Sequence, residues 1–423
     1  MSTSIEETIN QVVESVREDE VVAFASDLAR IPSFVGEETP LARWLQKFFE
    51  ERGYEVDMQE VIKGNFQPIA RLKGSGGGKD LMLNGHIDMD PIGIDCVDPY
   101  TPKVVGNRLE GWGLRNMKGG VAAMIMAAEA VRKSGVQLKG DIIVCPVVGE
   151  TNDLGYNPGT QHLLDQGVWA DAAIIPEPYG PPDIINTVTC GTTTLIIHTK
   201  GSMVGSVIDQ DQRFLTGYKG GPVDAFKKMV KILDALDKME MTYEPWSKMP
   251  GAPGIPTYGM VKAGKGRDYE TRGSYFVSDF CTAMVSFFFV PGQTPDTIVE
   301  DVQRTIEKLK EEDPEIDYEI EVPEFWGLPP IDAPTDMPVI EAIKRSYRQV
   351  TGDEIKDVGA PDAMPSDHTL LYANGISAVS YGLEGGWTHE RGVRHIQYVD
   401  IDQLVLATKV IAATAVDFCN SGT

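Results

Sequence analysis

The sequence predicts an α/β protein: a mainly parallel sheet domain with an inserted ferredoxin-like (βαββαβ) domain. Three observations carry that prediction. Short apolar strand-like runs alternate with helical runs at about one crossover each through the first part of the chain. From about Thr189 to Val322 the order becomes β-α-β-β-α-β. After Val322 the first rhythm resumes. The chain has 423 residues, too many for one ordinary core. The boundaries read as 1–188 with 323–423 for a discontinuous α/β domain, and 189–322 for a smaller domain inserted in it.

Taken in order, Val21, Val22, Phe24, Leu28 and Ile31 recur at helical spacing, as do Leu41, Trp44, Leu45, Phe48 and Phe49. Pro32 and Gly53 stop these runs. Asp80–Asn84 and Asp141–Val148 read as strands, with the Ala- and Met-rich helix Val121–Ser134 between them. A helical patch around His162–Leu164 precedes the apolar run Ala172–Ile175. In the insert, strand Thr192–Thr199 leads to helix Val223–Met239. Strands Thr257–Val261 and Thr282–Val290 follow, then helix Asp296–Lys310 and strand Ile316–Ile320. The chain closes with helix Met337–Val350, strand Ala378–Tyr381 and helix Ile401–Phe418. The glycine run Gly74–Lys79 is no phosphate loop, because Asp80 stands where a Walker motif needs Ser or Thr; it predicts a hairpin turn between two strands.

Lys and Arg number 38 against 63 Asp and Glu, a net charge of −25. Such a chain repels phosphate backbones and anionic membrane surfaces, so nucleic-acid and membrane partners are not expected. A small-molecule substrate is, since local groups and a metal set the field inside a cleft. The N-terminal stretch has no basic-then-apolar pattern, and no apolar run reaches 18 residues. The five cysteines form no CxxC pair. They read as reduced, mostly buried thiols of a cytoplasmic protein.

Four polar stations stand at successive strand ends. His86-Ile-Asp88 follows the strand Leu81–Leu83. Gly111-Trp-Gly-Leu-Arg-Asn116-Met-Lys-Gly-Gly120 opens the Ala-rich helix. Glu150-Thr151 follows Ile142–Val148, and Pro176-Glu177-Pro178 ends the next strand. His86, Asn116, Glu150 and Glu177 are 30, 34 and 27 residues apart, each about one crossover. A sheet of this kind therefore brings all four to one rim. A His two residues before an Asp suits metal binding, the carboxylate fixing the imidazole tautomer.

This order of motifs, with Gly-Gly-Trp-Thr-His389 near the C-terminus, resembles the M20 family of metallopeptidases and deacylases over nearly the whole chain. The resemblance implies that His86 binds metal and Asp88 orients it. It implies Glu150 as general base and Glu177 as a ligand of the first metal. Asn116 stands where the family has an Asp bridging two metals, Thr151 where it has a carboxylate of the second, and His389 at the second metal's His. Two of three ligand charges are thereby lost, and two dications would repel without compensation. The expectation is one divalent ion per chain, Mn or Zn, held by His86, Glu177 and the Asn116 oxygen. His389 or His395 then completes that shell or touches substrate.

The insert departs from the family as well. Lys200–Ser206 carries no His for a substrate oxyanion, Gly205 standing near the expected place. Phe287, Phe288 and Phe289 occupy the region where the family has a carboxylate-binding Arg. Lost oxyanion groups and an apolar lid imply a flat, hydrophobic substrate. Within the family, GLRNMKGG with GETNDLGYNPGT is similar to members that deaminate 5-nitroanthranilate, which implies hydroxide attack at the amine-bearing ring carbon. Hydrolysis of N-acyl amino acids or dipeptides is the alternative, and an inactive binding protein a third. Asp367-His368 falls in a loop where relatives have an Asp shaping the cleft, and Tyr156 and Asn157 follow Glu150 as candidate pocket residues. His162 and His198 read as structural. The resemblance also implies a homodimer or higher homo-oligomer.

Overall fold

The computed structural model describes residues 4–93, 96, 98–151, 157–177, 180–202, 222–246, 248, 256–269, 277–323, 327–362, 365–390 and 393–422. They form a mixed α/β fold in two compact units, one of residues 1–152, Asn157–Thr189 and Ile331–Thr423, the other built on Cys190–Pro330.

The first unit begins with helices α1 (Ile5–Glu14), α2 (Glu18–Arg30) and α3 (Thr39–Glu50). Ser4 caps α1 through a reciprocal box with Glu7. Phe24, Trp44 and Phe48 pack ring against ring between α2 and α3. Strands β1 (Glu55–Ile62), β2 (Asn65–Leu72) and β3 (Leu81–His86) follow, then the short hairpin β4 (Lys103–Val105) and β5 (Arg108–Glu110). Helix α4 (Gly119–Ser134) is buried through Val131. Next come β6 (Ile142–Val147), α5 (Pro158–Asp165), β7 (Ala172–Ile175) and β8 (Ile184–Thr189).

The second unit holds β9 (Gly191–Lys200), α6 (Ala225–Leu236), β10 (Thr257–Gly264), β11 (Phe280–Phe289), α7 (Pro295–Glu312), β12 (Asp317–Glu321) and β13 (Gly327–Leu328). Its sheet runs β10-β11-β9-β12, every pairing antiparallel. Leu195, Ile197, Val285, Met229, Ile232 and Val302 share its own core.

The chain returns to the first unit with β14 (Ile331–Asp332), α8 (Pro338–Thr351), β15 (Asp357–Asp362), α9 (Asp367–Ala373), β16 (Ser377–Ser380), β17 (Gly385–Glu390), β18 (Val393–Asp400) and α10 (Ile401–Asn420).

The large sheet has the order β1-β2-β6-β3-β7-β16-β8-β14, with β15 also on β8. It is mixed, which corrects the expectation of a mainly parallel sheet. The centre, β6-β3-β7-β16, is parallel throughout, and β15 lies parallel to β8. To one side β6 takes β2 and β2 takes β1 antiparallel, and to the other β8 opposes both β16 and β14. The four central strands are buried at every position but one, which is why they read as unbroken apolar runs. The glycine run is corrected too. β2 and β3 do not pair, because β6 lies between them. The connection is tied down by Asp141, which accepts from the Gly74 amide, Arg71 and Lys73.

Four of the cysteines are buried thiols, and Cys96 is partly exposed. No helix among the described residues is long and apolar enough to cross a membrane.

Candidate metal centre

His86 is the last residue of β3 and is fully buried. Its backbone N–H points at Met117 Sδ (3.3 Å), and its ring has two distinct sides. Nδ1 faces Asp88, 3.2 Å from the backbone oxygen and 3.5 Å from Oδ1. Nε2 faces Asn116 Oδ1 at 3.1 Å and Glu150 Oε2 at 3.5 Å. Nδ1 toward Asp88 and Nε2 toward open donors is the arrangement that presents Nε2 to a cation.

Asp88 is surrounded by donors. Oδ1 accepts from the Glu150 amide (3.0 Å), and Oδ2 accepts from the Thr151 amide (2.7 Å) and hydroxyl (2.6 Å). Burial pushes its carboxyl up, but His86 and the Thr151 donors outweigh that and hold it at about 2. Both oxygens are thus engaged in holding the loop after β6. The Thr151 hydroxyl proton is committed to Asp88.

Asn116 lies in a kinked turn, Leu114–Lys118, whose backbone is non-helical at Asn116 and Met117 and which leads into α4. Lys118 anchors this turn, its ammonium donating to the Leu28 and Ile31 carbonyls at the end of α2. Burial pulls that amine down to about 7, with Asp88 acting the other way. Gly120, in the first turn of α4, lies against Pro176: a β-carbon there would sit 1.9 Å from the Pro176 oxygen. The close approach joins the Asn116 turn to the end of β7, where Glu177 is buried.

The electrostatics fit a divalent cation. His86, Asp88 and Glu150 each bring a ligand atom within 4.8 Å of the others. Burial disfavours the charged imidazole, yet Asp88, Glu150 and Glu177 together raise His86 well above its ordinary value. Burial, and after the opposing pull of His86 the charges of Glu177, Asp367 and Asp88, raise Glu150 far above the carboxylate range. The excess negative potential that raises both groups is the potential a dication neutralises. Glu150 still keeps 14% of its side chain exposed, so it has access to solvent.

The fold therefore brings together His86, Asp88, Asn116, Glu150 and Thr151, with Glu177 acting on the same groups. His389 is exposed on β17, paired across the strand with residue 394 rather than gathered with the cluster. His395 is half-buried on β18. Sequence reasoning counted Glu177 as the one anionic ligand and gave Asp367 only a place in the cleft wall, not a share in the site's charge. Asp367, buried in the first turn of α9, accepts from Asn157 Nδ2 (2.8 Å) and acts on Glu150. His368 beside it is buried and pulled down to about 4 by that burial.

Asp90, four residues after His86, accepts from Asn116 Nδ2 and was also missed. The three-phenylalanine run is a buried aromatic strand: Phe287 and Phe289 are buried in the second unit's own core. Strand alternation puts them on one side of β11, so the run is not a continuous apolar surface. His198 bonds Thr282 Oγ1 at 2.8 Å, a structural role as read. Gly205, Tyr156 and Pro178 lie outside the described residues.

A buried His–carboxylate cluster at the carboxyl ends of parallel strands suits a metal ion, and taken with the family match it marks a metal-dependent hydrolase acting on carbon–nitrogen bonds. The profile of Peptidase family M20/M25/M40 matches residues 82–417, and the chain belongs to that family. It is 27% identical over 398 residues to N-formyl-4-amino-5-aminomethyl-2-methylpyrimidine deformylase of Bacillus subtilis, covering 89% of this chain and 88% of that protein. In fold it is similar to a dipeptidase from Saccharomyces cerevisiae (TM-score 0.75, 13% identity, 100% of both chains). It is also similar to a Bacillus subtilis M20 peptidase described as dinuclear metal-binding (TM-score 0.62, 17% identity, 95% of this chain and 98% of that one).

Proposed function

We propose that this enzyme holds one divalent ion, Mn or Zn, through His86 Nε2, Glu177 and Asn116 Oδ1, and hydrolyses the carbon–nitrogen bond of a small aromatic amine. The specific reaction is deamination of 5-nitroanthranilate to 5-nitrosalicylate and ammonia. The supporting observation is the neutral amide oxygen of Asn116, 3.1 Å from His86 Nε2, in a site whose other neutral departure, Thr151, is turned to Asp88. Such a site carries less ligand charge than two dications require.

When bound, the ion supplies the Lewis acidity that makes hydroxide accessible near neutral pH. Glu150 takes the proton of the attacking water as the C–O bond forms at the amine-bearing carbon. The displaced electron pair spreads into the para nitro group, so no oxyanion donor is needed. Glu150 then returns the proton to nitrogen as the C–N bond breaks, and ammonia leaves. Glu150, with Oε2 3.5 Å from His86 Nε2 and its side chain partly open to solvent, is placed for both transfers. Asp88 holds the His86 ring and the Glu150 backbone in register. On this reading the second unit serves as lid and dimerisation domain of a homo-oligomer. A second reading, hydrolysis of an N-acyl group from an aromatic amine, is favoured by the similarity to the pyrimidine deformylase.

The test is ammonia release from 5-nitroanthranilate by metal-loaded protein, with Glu150→Gln as control. Release that falls by about 10³-fold or more in the variant supports deamination with Glu150 as base. No release from folded, metal-containing protein refutes it, and release of formate from N-formyl arylamines would then establish the second reading.

A further inference from the structure

An amide bridges poorly and ligates only through oxygen, so a metal-binding Asn must be prevented from turning its NH2 toward the cation. The structure carries a device for this outside the ligand set. Asp90 Oδ1 accepts from Asn116 Nδ2 at 3.2 Å, and Asp90 Oδ2 accepts from Gln397 Nε2 at 3.0 Å. The Asp90 backbone oxygen accepts from Trp112 Nε1 at 2.9 Å. Gln397 is fully buried on β18. The carboxylate is therefore held from two directions and presents an acceptor to residue 116.

We propose that Asp90, held by Gln397 and Trp112, is a positioning residue that locks the Asn116 amide with its oxygen toward His86 and the metal. The inference rests on Asn116 Oδ1 being a metal ligand. In the flipped amide, Oδ1 would face the Asp90 carboxylate and two N–H groups would face the cation, both repulsive. In the observed orientation the carboxylate also polarises the amide, making its oxygen the better donor. Asp90 thus returns, one bond further out, part of the negative charge that an amide at position 116 removes. It also commits the second arm of residue 116 to donation, so that arm has no oxygen to offer a second ion.

The test is Mn(II) titration of the metal-stripped full chain, read by the EPR signal of free ion, with circular dichroism as the folding check. Asp90→Leu weakens binding by roughly 10–100-fold. Asp90→Asn restores most of it, because Gln397 can turn its Oε1, buried without a partner among the described residues, toward the new amide. Asn116→Asp in the parent sets two carboxylates about 3.2 Å apart and gains no second ion, and adding Asp90→Val relieves that repulsion and tightens binding of the one ion. Parent-like affinity in Asp90→Leu, with Asn116→Ala weakened, overturns the role of Asp90 alone. Parent-like affinity in Asn116→Ala overturns the ligand assignment beneath it. If Asp90→Leu does not fold, Gln397→Met, which frees one side of the carboxylate, must weaken binding at least a few-fold, and parent-like binding there overturns the proposal.

Discussion

Replacing Asp88 by Asn changes one atom and leaves the loop after β6 without a place to put its hydrogens. Every neighbour of the carboxylate is a donor: the Glu150 amide on one oxygen, and the Thr151 amide and hydroxyl on the other. If the new amide turns its oxygen to Thr151, those two bonds survive but lose charge assistance, at about 1 kcal/mol each. Its NH2 then confronts the Glu150 N–H, leaving a donor unsatisfied at a cost of about 1–3 kcal/mol. The sum is about 3–5 kcal/mol, the range found when one partner of a buried charged pair is removed. Metal-free protein is the right sample, because bound ion would add its own linkage. Thermal unfolding at pH 7 should fall by roughly 3–6 °C for Asp88→Asn and by only about 1–2 °C for Thr151→Val, which removes the hydroxyl alone. The pH dependence carries the same sign. A carboxyl held near 2 in the folded chain, against an ordinary value of 3.8, contributes above pH 4 and loses its contribution as pH falls toward 2. The variant should be less sensitive over that window. An Asp88→Asn protein within 1 kcal/mol of the parent, or a Thr151→Val protein equally damaged, would refute the donor cage.

Metal affinity should rise with pH, because the raised His86 and Glu150 favour protons with which the ion competes; isothermal titration in buffers of different ionisation enthalpy should show net proton release on binding. Gly120→Ala drives a β-carbon into the Pro176 oxygen, so it should cost about 3 kcal/mol or more and give little soluble, metal-binding protein by expression and titration. In the second unit, Asp301 is buried beneath the Thr242 amide and hydroxyl and Arg304. Asp301→Ala should destabilise that unit by about 2–4 kcal/mol, seen as faster hydrogen exchange in α7 and β11, while α4 and β3 keep the parent's protection.

What was legible in the sequence follows from which contacts are local. His86, Asn116, Glu150 and Glu177 were found because each sits at the end of a strand or the start of a helix, and the crossover length repeats. Thr151 and Asn116 stood out as neutral groups where charge was expected. Strand direction was not legible: that β2 lies antiparallel to β6, or β8 to β16, depends on pairings far apart in the chain. The same limit hid Asp90. Its partner Gln397 is 307 residues away, and a carboxylate in His86-Ile-Asp-Met-Asp90 reads as one more acid in an acidic chain. Counting charges only among ligands leads to a site poorer in negative charge than the folded one. Asp367 adds one carboxylate to the field at Glu150, and Asp90 adds another behind the amide of Asn116. The loss at position 116 is therefore a displacement of charge outward rather than its removal. A displaced charge still attracts one cation to the oxygen in front of it while offering no second ligand atom, and the paired substitutions at 90 and 116 are the direct measure of that difference.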